Sequence, residues 1–443
     1  MKKGLSFAYD VSFAIPFFIL AFSATSGVLA DCESAWIRVP TADAPPPRYG
    51  NCMAFDVARD VTVIFGGIDS GTYLGDTWQW DGVGWTQRTP PHSPPACFAP
   101  AAAYDSTRNV TVLFGGWNGS YLDGTWEWDG DDWHQRTPAT FPAARYGHAM
   151  AYDAARGVTV LFGGSGTGKY GTETWEWDGL DWTRRNPVNT PPSRGTHTMT
   201  YDSARGVTVL FGGVGDTGYF ADTWEWDGIN WTQRTPTACP SERLCPAMAY
   251  DVTQGVTVLF GGFGPAGYLA DTWEWDGVEW TQSIPAVAPT ARNAHAMAYD
   301  HGRETIVMYG GSGVSGTLGE TWEYAPGLRL LQGPVDTWVI QGSDVLFGVT
   351  AIGSPSIRYQ WRKNGSPLFG ADKASLRIPM VSREDAAIYD VVIRAPCGQI
   401  LSEPATLTIA PKADLDLDGD VDLDDLAAVQ KCLSGPNIPP DCP

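Results

Sequence analysis

The side chains whose spacing most clearly specifies a chemistry lie near the C-terminus, and all of them are aspartates. They are Asp414, Asp416, Asp418, Asp420, Asp422 and Asp425. Counted from the first of them, carboxylates take positions 1, 3, 5, 9 and 12 of a loop with Gly419 at position 6 and Val421 at position 8, a pattern that surrounds Ca²⁺ with oxygen ligands. The sequence therefore predicts calcium as a cofactor, and the alternative is a solvated acidic tail.

A set of five arginines offers a different chemistry. Each lies eight residues before an aspartate that ends a predicted strand, and they are Arg48, Arg145, Arg194, Arg243 and Arg292. Guanidinium forks suit carboxylates and sulfates, so the set could capture an acidic glycan. Alternatively, each arginine ties down its own Pro-rich segment by bonding backbone carbonyls. Trp117 lies on a loop whose sequence differs from the equivalent loops of the other units, and it is a further candidate for ligand binding.

Other repeated side chains look catalytic, but their repetition favours a structural role. A glutamate stands between paired aromatic residues at Glu127, Glu176, Glu225, Glu274 and Glu323. Arginines on the adjoining predicted strand, such as Arg136 and Arg185, predict cross-strand ion pairs with these glutamates. His148, His197 and His295 could bind a metal, and packing at strand edges explains them as well. Because no hydrolase, zinc-protease or phosphate-loop motif occurs, the sequence favours binding over catalysis and predicts no catalytic residue.

These residues belong to a repeat of about 49 residues. An aromatic residue followed by two glycines recurs at Phe65, Phe114, Phe162, Phe211, Phe260 and Tyr309, with spacings of 49, 48, 49, 49 and 49. Each of the six units has four short apolar or aromatic segments separated by turn signals, without helical periodicity. The pattern predicts four strands in each unit and excludes a helical solenoid.

Four strands, a Gly-Gly doublet and paired aromatics such as Trp126 and Trp128 resemble the kelch motif, the blade of a β-propeller, in the style of galactose-oxidase-like central domains. The resemblance spans about residues 35 to 326 and implies a six-bladed propeller. Enzymatic relatives imply an alternative function, a carbohydrate-active enzyme of the galactose-oxidase-like or sugar-mutarotase-like kind. The copper ligands of the one and the acid and base of the other have no counterparts that can be matched in this sequence.

Closure of the ring follows from one missing residue. Every unit except the sixth has a tryptophan that begins its fourth strand, and the segment Trp36 to Pro40 begins with a tryptophan and ends with a proline, as Trp231 to Pro236 does. We therefore expect the N-terminal segment to supply the outer strand of the last blade and to remove the open edges.

Strand reversal places the loops between second and third strands on the same face as the blade crossovers. These loops are long and variable, so we expect ligand binding on that face.

A second β module is expected after the repeats. Trp361 and Tyr389 resemble the core tryptophan and the tyrosine corner of an immunoglobulin-like sandwich. Val349 and Val391 stand where such domains have their disulfide, so an apolar pair replaces it. We expect this module to act as a spacer.

Export is predicted from the N-terminus. Met1-Lys2-Lys3 and the apolar run of residues 11–24 resemble a signal peptide with cleavage before Asp31, and no later stretch is apolar enough to span a membrane. The protein is therefore expected to be secreted or at the cell surface. All eight cysteines follow the cleavage point, and the short loops Cys239 to Cys245 and Cys432 to Cys442 are candidate disulfides.

The calcium loop and the apolar helical pattern after it resemble a dockerin repeat, which implies a cohesin-like partner, although dockerins carry two repeats and only one is present. A net charge of −21 argues against a nucleic-acid partner.

The expected fold is all-β: signal peptide 1–30, propeller 31–328, immunoglobulin-like domain 329–411 and an EF-hand-like calcium tail with a short helix, 412–443. The expected function is non-catalytic recognition of an extracellular glycan or surface protein through the variable propeller face.

Overall fold

The computed structural model describes residues 34–41, 43–285, 287–325, 327–352, 357–395 and 398–410. The regular structure in these residues is β, apart from one 3-10 turn at Arg383–Asp385. No helix in the described ranges is long and apolar enough to cross a membrane. The expected signal peptide, the calcium loop and the pair Cys432 and Cys442 lie outside the described residues.

Six antiparallel sheets of four strands form the blades of a propeller. Blade 1 consists of Cys52–Asp56, Val61–Phe65, Thr77–Trp80 and Trp85–Arg88; blade 2 of Ala101–Asp105, Val110–Phe114, Thr125–Trp128 and Trp133–Arg136; blade 3 of Ala149–Asp153, Val158–Phe162, Thr174–Trp177 and Trp182–Arg185. Blade 4 consists of Thr198–Asp202, Val207–Phe211, Thr223–Trp226 and Trp231–Arg234; blade 5 of Ala247–Asp251, Val256–Phe260, Thr272–Trp275 and Trp280–Ser283; blade 6 of Ala296–Asp300, Thr305–Tyr309, Thr321–Ala325 and Ala35–Val39.

Short strands of two residues shape the loops on one face. They are Ile68–Asp69, Thr72–Tyr73, Ser165–Gly166, Lys169–Tyr170, Val214–Gly215, Gly218–Tyr219, Phe263–Gly264, Gly267–Tyr268, Arg292–Asn293, Ser312–Gly313 and Gly316–Thr317. Most of them pair as small hairpins between the second and third strands of a blade. The variable face therefore has ordered backbone.

The second strands form the most deeply buried layer. In blade 3, Val160, Leu161 and Phe162 are fully buried, because neighbouring blades cover both faces of the sheet. Burial of both faces explains why the segment VTVLF ends in three consecutive apolar residues and does not alternate to its end. Burial of this layer stabilises the propeller through the hydrophobic effect.

Hydrogen bonds between side chains join the blades in a closed circle. The tryptophan that begins each fourth strand donates its indole N–H to a threonine that begins the third strand of the preceding blade, at 2.8 to 2.9 Å. The pairs are Trp85 with Thr321, Trp133 with Thr77, Trp182 with Thr125, Trp231 with Thr174, Trp280 with Thr223 and Trp36 with Thr272. Trp36 thus occupies the sixth place in the circle.

The N-terminal strand closes the last blade as the repeat pattern predicts. Ala35–Val39 pairs antiparallel with Thr321–Ala325, with Trp36 opposite Tyr324. Trp36 packs between Phe260 and Tyr324 with ring centroids 4.9 and 5.0 Å away. The prediction of ring closure from the spacing of Trp36 is confirmed by this register.

Strands also follow the propeller. They are Arg329–Gln332, Thr337–Ile340, Val345–Gly348, Thr350–Ile352, Arg358–Lys363, Ser366–Pro367, Ser375–Ile378, Ala387–Ala395, Gly398–Leu401 and Ala405–Ala410. Trp361, Val349 and Val391 are buried in one apolar core with Tyr389, whose hydroxyl donates to the Asp385 carbonyl at 2.9 Å. The immunoglobulin-like class of this module stays a prediction.

The expected disulfide between Cys239 and Cys245 is wrong, because both thiols are free. Cys239 lies on an exposed crossover, whereas Cys245 has a left-handed backbone and its N–H donates to the Thr196 carbonyl of the preceding blade at 2.7 Å. Cys52 and Cys97 are also free, and both are buried. Nearness in sequence did not predict the direction of the two side chains.

We predict that Trp36→Ala strongly destabilises the propeller, whereas Ile37→Ala at the next position does not. Trp36 is 2% exposed and holds one hydrogen bond of the circle, while Ile37 is 42% exposed. The first change should lower the free energy of unfolding by about 3 to 5 kcal/mol and the second by less than about 0.5 kcal/mol. Urea unfolding followed by tryptophan fluorescence measures both. Equal effects of the two substitutions would contradict a closing role for this strand.

Candidate functional site

A circle of backbone hydrogen bonds surrounds the mouth of the central channel on the variable face. One residue just before each first strand has positive φ, between 48° and 66°, and these are Gly50, Ala99, Gly147, Thr196, Cys245 and Ala294. Each donates its N–H to the carbonyl of its counterpart in the preceding blade, at 2.6 to 3.1 Å. The six bonds form a closed circle, which we call the mouth belt. The belt narrows the channel on this face, and the channel cavity of about 270 Å³ lies among the inner strands.

A pocket of aromatic side chains lies beside the mouth belt on blades 1 to 3. Its cavity measures about 310 Å³, and its lining consists of Tyr49, Ile68, Tyr73, Phe98, Trp117, Tyr121 and Tyr146. Tyr49, Phe98 and Tyr146 each immediately precede a belt residue. Trp117 contacts Tyr121 with ring centroids 4.7 Å apart, and Tyr121 stacks on Tyr146 at 5.9 Å. We call this set the aromatic pocket.

Backbone pairing fixes the position of each ring. Phe98 and Trp117 exchange two hydrogen bonds of 2.8 Å, and Tyr49 exchanges bonds of 3.0 and 3.2 Å with Ile68. Gly50 allows the close approach of Phe98, because a Cβ atom there would lie 2.1 Å from that ring. The belt and the pocket are therefore built from adjacent residues.

The position directly before each belt residue is not aromatic around the rest of the ring. At the positions of Tyr49, Phe98 and Tyr146, blades 4 to 6 have Gly195, Leu244 and Asn293. Phe263 stands at the position of Trp117 in blade 5, where it packs on Tyr268 and not in the pocket. This asymmetry makes blades 1 to 3 the candidate binding site.

The chemistry of the aromatic pocket is that of ring faces edged by hydroxyls. Its lining, as described above, contains neither carboxylates nor imidazoles. Burial raises the pKa of Tyr146, so this phenol stays protonated at neutral pH and can donate a hydrogen bond. Such a surface can stack against a flat apolar face and bond polar groups at its edge, and it offers no acid–base pair.

The five predicted arginines lie elsewhere, inside the blades. Arg194 donates from Nε to the Pro192 carbonyl at 3.1 Å, from Nη1 to the Gly212 carbonyl at 3.0 Å, and from both Nη atoms to Asp222 at 2.6 and 2.7 Å. Arg48, Arg145, Arg243 and Arg292 repeat these contacts with Asp76, Glu173, Asp271 and Glu320. All five are buried. These contacts match the alternative in which each arginine binds backbone carbonyls next to its crossover. The carboxylate that binds each guanidinium was not predicted from the sequence.

Blade 2 lacks both members of this buried ion pair. Cys97 replaces the arginine, and Gly124 replaces the carboxylate. A cavity of about 130 Å³ lies there, lined in part by Cys97, Gly124 and Trp126. The paired loss agrees with the cost of leaving one buried charge without its partner.

The histidines and glutamates occupy structural positions. His148, His197 and His295 pack edge-on against phenylalanines of the preceding blade, at 5.5 to 5.6 Å. Burial, and then a nearby arginine, lowers the pKa of His148 and of His295 to about 3, so both imidazoles are neutral. Glu127 accepts from Arg136 at 2.7 Å, which confirms the predicted cross-strand pairing in this blade. Within the ranges that the structure describes, no three His, Cys, Asp or Glu side chains converge as metal ligands.

Comparison with known proteins supports the propeller. The family described as the KLHDC2/KLHL20/DRC7 Kelch-repeats domain matches residues 170–329, and this match and the repeated four-stranded sheets fit a kelch propeller. No curated protein matches the chain.

Solved structures that match part of the chain include titin domains and the tandem Ig repeats of Dlar. A chimeric titin Z1Z2 carrying an exogenous decorin peptide is 22% identical over 19% of this chain and 94% of its own, with a TM-score of 0.17. The tandem Ig repeats of Dlar are 16% identical over 23% of this chain and 74% of their own, with a TM-score of 0.18. Titin domain M3 is 23% identical over 18% of this chain and 95% of its own, with a TM-score of 0.17. At these TM-scores the likeness does not establish a shared fold.

Sequence reasoning found Trp117 but missed its partners. Tyr49, Phe98, Tyr121 and Tyr146 come from three blades, and only the closed ring brings them together. A signal was present: aligning the six units shows that the shared position of Tyr49, Phe98 and Tyr146 is aromatic in the first three units and not in the last three, whereas the position of Tyr121 is a tyrosine in the first five.

Proposed function

We propose that this chain is an exported, non-catalytic binding protein that recognises a sugar ring of an extracellular glycan in the aromatic pocket. The observation that carries the proposal is the lining of ring faces and tyrosine hydroxyls, because a pyranose has an apolar C–H face and a polar edge. A volume of about 310 Å³ is at the lower end of the usual range for small-ligand pockets, about 300 to 1,000 Å³. The pocket would hold one ring of a longer chain.

Recognition is favoured over turnover by the composition of the pocket. Glycoside chemistry generally uses two carboxyl groups on either side of the reacting bond. The aromatic pocket lines its cavity with tyrosine, phenylalanine, tryptophan and isoleucine side chains. The alternative, a carbohydrate-active enzyme on the same face, would need its acid and base from outside this lining.

The rest of the chain has supporting roles in this proposal. The N-terminal signal directs the protein to the secretory route, so that it acts outside the cell or on its surface. The immunoglobulin-like module separates the propeller from the tail, and the tail binds Ca²⁺ and docks to a cohesin-like partner. These assignments are supported by sequence patterns alone.

We predict that Trp117→Ala weakens glycan binding at least tenfold, about 1.4 kcal/mol, without a matching loss of stability. Trp117 is partly exposed and supplies the largest ring face of the pocket. The full chain is first screened on a glycan array, and the best ligand is then titrated calorimetrically into wild type and variant. Phe263→Ala is the matched control, since Phe263 has the same place in blade 5 outside the pocket.

Equal affinity of wild type and Trp117→Ala for the array ligand would contradict the proposal, as would an array without any ligand. If a surface protein binds and its binding depends on Trp117, the ligand of the pocket is a protein and not a glycan. Product analysis of each bound glycan separates recognition from turnover, because cleavage or oxidation of the sugar would establish the enzymatic alternative.

For the tail we predict that residues 414–425 bind one Ca²⁺ and become helical after the loop on binding. Mutual repulsion of the carboxylates opposes loop closure until a divalent cation neutralises it. Without a second repeat, the expected dissociation constant is in the weak range of about 10⁻⁴ to 10⁻³ M. Calorimetric titration of calcium into the full chain, beside Asp414→Ala, measures this. Identical heats for the two proteins would show an ordinary acidic tail.

A further inference from the structure

In four of the six blades, one arginine joins a first-strand aspartate to a third-strand glutamate. Arg156 donates from Nε to Asp153 at 2.7 Å and from Nη1 to Glu176 at 2.5 Å. The equivalent groups are Asp105–Arg108–Glu127, Asp202–Arg205–Glu225 and Asp300–Arg303–Glu323. The propeller thus binds the same chemical group, a guanidinium, between the same two carboxylates four times.

Blade 5 keeps both carboxylates and lacks the arginine. Asp251 and Glu274 stand at the positions of the aspartate and the glutamate, but Gln254 replaces the arginine. A second arginine, which binds the glutamate from the fourth strand in blades 2 to 4, is replaced by Ser283. Glu274 accepts from the Tyr324 hydroxyl at 2.6 Å, which stands where a tryptophan of the next blade binds the equivalent glutamate of blades 2 and 3, and from the Ser34 hydroxyl at 3.4 Å.

The oxygen that would bind the arginine Nε has no partner. Asp251 is 1% exposed, and its Oδ1 accepts from the backbone N–H groups of Thr253 and Gln254 at 3.0 Å. Its Oδ2 makes no hydrogen bond, and neither does the buried Nε2 of Gln254. Burial, and to a smaller extent the nearby Glu274, raises the pKa of Asp251 to about 6. A carboxylate is therefore held here without its cation.

The loss of the internal arginine has a structural cause in the neighbouring blade. In the complete blades the guanidinium packs across the glycine of the next Asp-Gly turn, and a Cβ atom on Gly179 would lie 2.7 Å from the Nε of Arg108. Blade 6 lacks the Asp-Gly sequence of this turn, since Ala325 stands at the position of the aspartate and Pro326 at that of the glycine. An arginine at position 254 would lack this packing surface, whereas a guanidinium that arrives from solvent needs only the two carboxylates.

From the repetition of these contacts we infer that Asp251 and Glu274 form a binding socket for a guanidinium group supplied from outside the chain. The socket has an approach from solvent, since the arginine side chains in the equivalent places are 22 to 29% exposed and Gln254 is partly exposed. A planar guanidinium can bond both carboxylates at once, the aspartate through Nε and the glutamate through Nη1, whereas a compact ammonium group cannot. The source is either free arginine or an arginine side chain of a partner polypeptide.

The test uses the full chain and methylguanidinium as probe. Calorimetric titration at pH 7.5 and constant ionic strength should show one site, with methylammonium binding at least tenfold more weakly. Gln254→Arg fills the socket from within, so it should weaken methylguanidinium binding at least tenfold. Asp251→Asn keeps the shape and removes the charge, and the same loss is expected. Gln254→Ala is the control, because it clears the socket and leaves both carboxylates, so binding should persist.

Two further probes distinguish the sources. Binding of free L-arginine and failure of the peptide Gly-Arg-Gly would identify an amino-acid ligand, whereas binding of the peptide would identify a partner side chain, with Gly-Lys-Gly as the control. Absence of methylguanidinium binding, equal binding of methylammonium, or unchanged binding in Gln254→Arg would overturn the inference. None of these outcomes depends on the aromatic pocket.

Discussion

A ring of six sheets is stable only when every sheet has a neighbour on both sides, and hydrogen bonds that run completely around the ring meet this requirement here. The mouth belt is the innermost of these circles, and the tryptophan–threonine bonds form another farther out. A third circle joins the second glycine of each doublet to the crossover of the next blade, as in Gly164 to the Arg194 carbonyl at 2.9 Å. Each circle contains a bond between the last blade and the first.

The mouth belt stabilises backbone conformations that its residues would not favour by themselves. Thr196 and Cys245 have φ of 55° and 48°, where residues with a side chain are disfavoured by about 1 to 3 kcal/mol. Such a conformation persists when the surroundings fix it, and the belt gives each residue a donor and an acceptor on opposite sides. Since Tyr49, Phe98 and Tyr146 directly precede belt residues, the same constraint positions the aromatic pocket. Closure and recognition therefore depend on one set of bonds.

The repeat could be predicted from the sequence because it rests on local patterns: the glycine doublet, the paired aromatics and the spacing of Trp36. The aromatic pocket could not, since it combines residues from three blades whose proximity exists only in the closed ring. The mouth belt could not be predicted either, because the residue types of Thr196 and Cys245 do not indicate a left-handed backbone. For the arginines, one of the two alternatives gave the carbonyl contacts, but neither predicted the carboxylates, which lie 28 positions later in the chain. The bond expected between Cys239 and Cys245 was wrong for the same reason, that sequence distance does not give side-chain direction.

The central claim is that the mouth belt is a closed structural unit, and hydrogen exchange at its six amides tests it most directly. Their N–H groups, from Gly50 to Ala294, are all bonded in the closed ring. They should exchange together and only through unfolding of the whole propeller, with the protection of the buried second strands. Exchange of these amides at the rate of exposed loop amides, or independent exchange of one blade, would contradict the account.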